Sequence, residues 1–357
     1  MRPVGIVDAA SHLPEHEVGR EFFERHARPD DPLLRHPMFR APEFRRYARR
    51  DETGADLIER AIGALAGRHG WDTVRGVDVL LTYNGLPDVP FLGSGAEVAR
   101  RAGLHPTTIV DVHNGHCAVL PHLLDLATTL LQRAGADSAL LCVAQTAGRI
   151  FTQPTVRVSA HASVPGDGAA VVLLRAGARP ASPILATAVH HYPEYAPDVG
   201  ITLDDGRLYW EPGTAEMDIR FDGRKAENVV ERGTKIVPEV VRAACAEAGV
   251  DLAGVDLLIT NQPNRLLLRN WARDLGIPAE RHFDTFDRYG NLFGAGAPVN
   301  LDHALRAGRL RPGSLLVLAG FAGAGELAAA AVVRWGGDSG DSSDKAVWRV
   351  GRNEHER

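Results

Sequence analysis

The chain has 357 residues, 45% hydrophobic and 24% charged, with a net charge of −5. That is the composition of a folded globular protein large enough for one big core or two similar halves. The acidic balance gives no basic footprint for nucleic acid, and no apolar run reaches the length that spans a membrane.

Three cysteines, Cys117, Cys142 and Cys245, are too sparse and too odd in number for a disulfide framework. They argue for a reducing compartment. The start, "MRPVGIVDAASHLPE", reads as a strand and a turn and lacks the regions of a signal peptide. The expectation is a cytoplasmic protein.

Further along, "FRRYARR" (44–50) gathers four arginines, by default a solvated face. Residues 55–87, "ADLIERAIGALAGRHGWDTVRGVDVLLTYNGLP", read as an amphipathic helix, a loop and a buried strand. Residues 108–135, "TIVDVHNGHCAVLPHLLDLATTLLQRAG", read as a strand, a tight turn and a helix, followed by the apolar strand "SALLCVAQ". The order then recurs. "TKIVPEVVRAACAEAGVDLAGVDLLITNQPNR" repeats helix, loop and strand, and "GVDLLITNQ" from 254 is nearly "GVDVLLTYN" from 76. "RHFDTFDRYGNLFGAGAPVNLDHALRAG" and "SLLVLAGF" complete the second copy. Apolar runs between helices read as central strands covered on both faces. Two copies of one unit predict a layered α/β fold with a pseudo-twofold axis. The halves are placed at 1–177 and 178–336, and the polar, glycine- and serine-rich segment 337–357 reads as a disordered tail. Cys142 falls mid-strand and Cys245 in a helix, so both read as core.

Chemistry concentrates in "DVHNGHCAVLPHLLDLA" (111–127). His113, His116, Cys117 and His122 raise the question of a metal site. On a turn leading into a helix they point in different directions, so convergence on one ion is disfavoured. The other reading is a thiol at a helix start, where the dipole favours the thiolate. Gly115 permits the turn, and Pro121 falls in the first turn of the helix, where a missing N–H costs little.

Several motifs in order give the chain a resemblance to the ketoacyl synthase III (KAS III) enzymes of the thiolase superfamily. They are "RRYARRDETGADLIERA", "CAVLPHLLDLA", "VPGDGAAVVLL", "MDIRFDGRKA", "TNQPNR", "YGNLFGAGAPVNL" and "LAGFAGAG". The resemblance covers roughly residues 3 to 335 and implies the αβαβα thiolase fold. It makes Cys117 the acyl-accepting nucleophile, with Asn291 as a carbonyl-binding amide. The oxyanion hole would combine the N–H of Cys117 with one near Gly323. The family's histidine in His-Gln-Ala-Asn is Asn261 here, and the small pair after the nucleophile is Val119-Leu120.

Asparagine donates a hydrogen bond but cannot act as a base near neutral pH. The resemblance therefore implies an acyltransferase or atypical condensing enzyme of specialised metabolism. It would load an acyl group from coenzyme A or acyl carrier protein onto Cys117 and pass it to a small-molecule acceptor. His161 and His191, with His190, are the candidate auxiliary bases. Arg45, Arg46, Arg149 and Arg157, with Arg49 and Arg50, are the candidate carrier or coenzyme contacts. No metal and no cofactor beyond the thioester is expected, and the family implies a homodimer. Two alternatives stand beside this reading: an ordinary decarboxylative KAS III, and a non-catalytic partner of a carrier or synthase. Asp167 is expected to fix a turn.

Overall fold

In a computed structural model, which describes residues 1–336 apart from 199, 201, 204, 209 and 219–222, the two sequence copies build two five-stranded sheets. The tail 337–357 lies outside the described residues, as does part of "MDIRFDGRKA". The first sheet holds β1 (Val4–His12), β2 (Val79–Asn84), β3 (Thr108–Asp111), β4 (Ser138–Gln145) and β5 (Gly168–Ala176). The second holds β6 (Ile184–His191), β7 (Leu257–Thr260), β8 (His282–Phe283), β9 (Leu315–Ala322) and β10 (Leu327–Arg334).

The spatial orders are β1-β5-β4-β2-β3 and β6-β10-β9-β7-β8. Adding five to each label of the first gives the second. Directions repeat as well. β2 runs parallel to β3 and β4, as β7 does to β8 and β9. β5 is antiparallel to β1 and β4, as β10 is to β6 and β9.

Among the described residues, six helices of eight or more residues pack on these sheets: α1 (Gly54–His69), α2 (Gly95–Ala102), α3 (Val119–Leu130), α4 (Gly223–Glu247), α5 (Arg265–Leu275) and α6 (Gly296–Arg306). α3 and α6 lie between the sheets. Leu120, Leu123 and Leu124 of α3 and Val299 and Leu301 of α6 share one core with Leu81, Leu141, Ile259 and Leu318. The outer face of the first sheet is covered by α1, through Leu57, Ile58 and Leu65 on Leu80 and Leu140. That of the second is covered by α4, through Val237, Val240 and Val241 on Leu258 and Val317. Neighbours in a strand, such as Leu80 and Leu81, thus enter different cores, as the two-residue period of a strand requires. Each such side chain stabilises the fold by about 1.5–3 kcal/mol. This is the layered thiolase architecture.

α1 starts sharply because Thr53 and Asp56 form a reciprocal capping box, with N–H to oxygen distances of 3.1 and 2.7 Å. The two central helices start differently. Each follows a short 3₁₀ turn, His116–Ala118 and Phe293–Ala295, and each turn contains a non-glycine residue at positive φ, His116 (+37°) and Phe293 (+48°). These paired strained turns bring the two halves together at the functional site.

Candidate active site

Cys117 sits in the turn ahead of α3, and Gly115 at φ +105° turns the chain there. The neighbouring Val119 and Leu120 are wholly buried in the central core, and Cys117 itself is 8% exposed. Two effects oppose each other at its sulfur. A helix start favours the thiolate, whereas burial penalises charge. Burial pushes the Cys117 thiol up to about 12; the Glu326 carboxylate adds to the rise, and the Asn261 amide pulls the other way. Burial of the sulfur thus works against the lowering that a helix start gives an exposed thiol. Cys142 and Cys245 are buried in the two outer cores, in β4 and α4.

Asn261 follows directly on β7 and is wholly buried. Strand β9 runs past both it and the thiol. At Gly320 a Cβ would lie 2.8 Å from the Cys117 carbonyl oxygen and 3.0 Å from Asn261 Oδ1, so only glycine fits. Beyond its contact with the thiol, the Asn261 amide is an orphan. Neither Oδ1 nor Nδ2 makes a well-formed hydrogen bond. Leaving a buried amide so costs about 1–3 kcal/mol.

Asn291 lies in the matching turn before α6. Its Oδ1 accepts from the Phe293 N–H at 2.9 Å, which leaves Nδ2 as the donor it presents. Its backbone is zipped to the first half: the Asn291 N–H donates to Val164 O at 3.0 Å, and the Gly166 N–H donates to Asn291 O at 2.9 Å. Gly294 brings this turn against the thiol turn, with a Cβ there 2.7 Å from His116 O. The structure therefore gathers Cys117, Asn261 and the Asn291 turn at one place. Gly323, at φ +44°, is the exposed residue of an otherwise largely buried hairpin turn that follows β9.

Residues with no role in the sequence reading hold this arrangement. Gln262 Nε2 donates to Gly290 O at 2.6 Å, while its Oε1 accepts from the Thr285 N–H (3.0 Å) and Asn300 Nδ2 (2.9 Å). It ties the Asn261 strand end to the Asn291 loop. Its place after Asn261 in "TNQPNR" was the available signal. Asn264 caps α5 by accepting from the Leu267 N–H at 2.9 Å. Tyr83, on β2, is buried beside Cys117, and its hydroxyl lies 3.5 Å from His116 Nδ1. Nothing in "LLTYNG" marked it.

The other expected residues spread out. His113 is exposed, His116 faces Tyr83, and the buried His122 ring lies 6.3 Å from that of His191. His191 is exposed, and the His190 ring lies 6.5 Å from that of Tyr192. His161 is buried between the rings of Phe39 and Phe151, at 6.4 and 6.3 Å. Asp167 is wholly buried and accepts from the N–H groups of Gly148 (2.8 Å) and Ala48 (3.0 Å), fixing its turn.

Among the arginines, Arg45 departs from its expected place on a carrier-facing surface. It is wholly buried, donates through Nη2 to Pro42 O at 3.2 Å and lies 4.8 Å over the Phe23 ring. "FRRY" puts it on the inward face of a short strand, Phe44–Tyr47, that pairs with His16–Gly19. Arg46 points outward and pairs with Glu17 at 2.7 Å. Arg149 donates to Glu52 O at 2.6 Å, and Arg157 is half-buried. Arg49 and Arg50 are exposed.

The C-terminal region of 3-oxoacyl-[acyl-carrier-protein] synthase III, as a sequence family, matches residues 245–335. The β-ketoacyl-[acyl-carrier-protein] synthase III of Bordetella petrii is 30% identical over 247 residues, 69% of this chain and 72% of the relative. The chain belongs to the KAS III family. Acetoacetyl CoA synthase NphT7 of Streptomyces sp. is 28% identical, over 92% of this chain and 98% of the relative. The crystal structure of the KAS III of Pseudomonas aeruginosa PAO1 superposes with a TM-score of 0.78 at 24% identity, over 94% of this chain and 98% of that one. Within this family the protein is a thiolase-fold enzyme of the condensing, acyl-transferring kind.

Proposed function

We propose that this KAS III-family enzyme takes an acyl group from a coenzyme A or carrier-protein thioester onto Cys117 and transfers it to a small-molecule acceptor in specialised metabolism. The observation that carries the reading is the orphaned Asn261 amide against the thiol. A thioester carbonyl placed at Cys117 satisfies Nδ2 and is polarised by it, with Asn291 Nδ2 as a second donor from the matching turn. Both donors are amides, so they stabilise negative charge on oxygen and move no proton. Such a pair serves acyl transfer and is poorly equipped for chemistry that relies on an imidazole.

The names of the relatives, a β-ketoacyl-[acyl-carrier-protein] synthase III and an acetoacetyl CoA synthase, support thioesters of both carriers as the substrate class. Arg149 and Arg157 are the arginines we assign to an anionic donor. A homodimer is part of the reading. Val89, Phe91 and Leu92 form an exposed apolar tip, and Ile109 is exposed on the edge strand β3. A cytoplasmic location is likewise part of it, resting on the free cysteines.

The test is incubation with malonyl thioester labelled at the free carboxylate, following carbon dioxide and acyl product together. Transfer of the acyl group without release of label supports the reading. Release of carbon dioxide in step with product would make the protein an ordinary decarboxylative synthase.

A further inference from the structure

The chain contains two Asn-Gly pairs, Asn84-Gly85 and Asn114-Gly115. In such a pair the asparagine side chain can attack the next main-chain unit with least hindrance, because glycine puts no side chain in the way. The fold treats the two pairs differently. At the first, the Gly85 N–H donates to Ala144 O at 3.0 Å, and Asn84 Nδ2 donates to Ser94 Oγ at 3.1 Å. Both groups that would have to react are therefore tied elsewhere. At the second, among the described residues, neither the Gly115 N–H nor the Asn114 amide takes part in a hydrogen bond. Asn114 is exposed, in the loop between β3 and the thiol turn.

The free pair is part of the segment that sets the nucleophile. Gly115 turns the chain at φ +105°, and its carbonyl accepts from the Ala118 N–H at 2.7 Å, closing the turn that holds Cys117. The turn has little room to shift. A Cβ on Gly115 would lie 3.2 Å from Val119 Cα. His116 O and Cys117 O lie 2.7 and 2.8 Å from the Cβ positions of Gly294 and Gly320. A change in main-chain length just before Gly115 is therefore passed on to the thiol rather than absorbed.

We propose that Asn114 is a spontaneous modification site of the thiol turn, and that its conversion to isoaspartate slows Cys117. The Gly115 nitrogen bonds to Asn114 Cγ and gives its proton to water. The bond from Cγ to Nδ2 breaks, and Nδ2 leaves as ammonia with a proton from water. Water then opens the cyclic imide. Cleavage between the nitrogen and Cγ restores the chain with aspartate at 114. Cleavage between the nitrogen and the main-chain carbonyl carbon leaves the chain running through Cβ and Cγ, longer by a methylene. Each route consumes one water and releases one ammonia, with no oxidant and no cofactor. Either product puts a carboxylate where a neutral amide stood, and negative charge disfavours the thiolate. The isoaspartate also lengthens the chain ahead of Gly115, so it has the larger effect.

The test is ageing of the folded protein at mildly alkaline pH, brief labelling with iodoacetamide, and tryptic mass spectrometry with chromatographic separation of the isoaspartyl form. Asn114 and Cys117 share the tryptic fragment Ala102–Arg133, so modification and labelling are read on the same molecule. Asn84 lies on the fragment Gly76–Arg100 and serves as the internal control. Asn114 is expected to convert while Asn84 does not, and a urea-unfolded sample to convert both. The isoaspartyl fragment is expected to be alkylated about tenfold more slowly than the unmodified fragment beside it. Asn114→Gln would have to close a six-membered ring, which is far slower, so its thiol is expected to keep its labelling rate through the same ageing. Four results each overturn the proposal: equal conversion of Asn84 in the folded protein, no conversion of Asn114 while the unfolded sample converts, unchanged labelling of the isoaspartyl fragment, or the same loss in Asn114→Gln. No acyl donor enters the experiment, so its outcome is separate from that of the acyl-enzyme reading.

Discussion

Asn261 is where stability and function pull apart. Its amide is wholly buried, with neither polar atom in a well-formed hydrogen bond. Replacing it by leucine removes that cost of about 1–3 kcal/mol, so Asn261→Leu is expected to match or exceed wild type in denaturant midpoint. The same change deletes the carbonyl donor, and acyl transfer is expected to fall about 10²-fold. A loss of both stability and activity would show that the amide is structural. Cys117 was legible from its helix start and from the motifs around it. Arg45 was misread as a surface group because a charged residue in a basic run gives no sign that it faces inward.

At the scale of elements, the site depends on two turns held against each other. Gly290 leads into the Asn291 turn at φ +71°, ψ −156°, a region almost confined to glycine, and a Cβ there would lie 2.3 Å from Val164 O. Gly290→Ala is expected to destabilise the fold by about 3 kcal/mol or more, seen as a lower urea midpoint. Gln262→Leu would leave Gly290 O, the Thr285 N–H and Asn300 Nδ2 without this partner. The expected loss is about 2–4 kcal/mol, with slower acyl transfer as the Asn291 loop loosens. Full retention of activity in a folded Gln262→Leu protein would contradict that link. Both strand-turn-helix units were readable from the sequence, since apolar runs and glycine signals mark them. Their mutual contact was not, because periodicity carries no information about which turn meets which.

For the molecule as a whole, the duplication was legible from the two phrases beginning at 76 and 254, and the matched strand orders are its structural form. The second half also buries a titratable group, with a pH consequence. His282 on β8, 2.9 Å from Thr260 Oγ1 through Nε2, is lowered to about 4 by burial. An unfolded histidine titrates near about 6.5, so between these values the unfolded chain binds the extra proton. The His282 contribution is therefore complete above about 6.5 and is lost as pH falls towards about 4. Denaturation at about pH 5 is expected to show about 2 kcal/mol less stability from this residue than at about pH 7, a difference that His282→Gln should remove. The measurement that bears most directly on the whole account is intact mass after incubation with a panel of acyl-CoA and acyl-carrier-protein thioesters. Wild type is expected to gain the mass of one acyl group at Cys117, and Cys117→Ala to gain none. Absence of an adduct across the panel, or an equal gain in Cys117→Ala, would contradict the account.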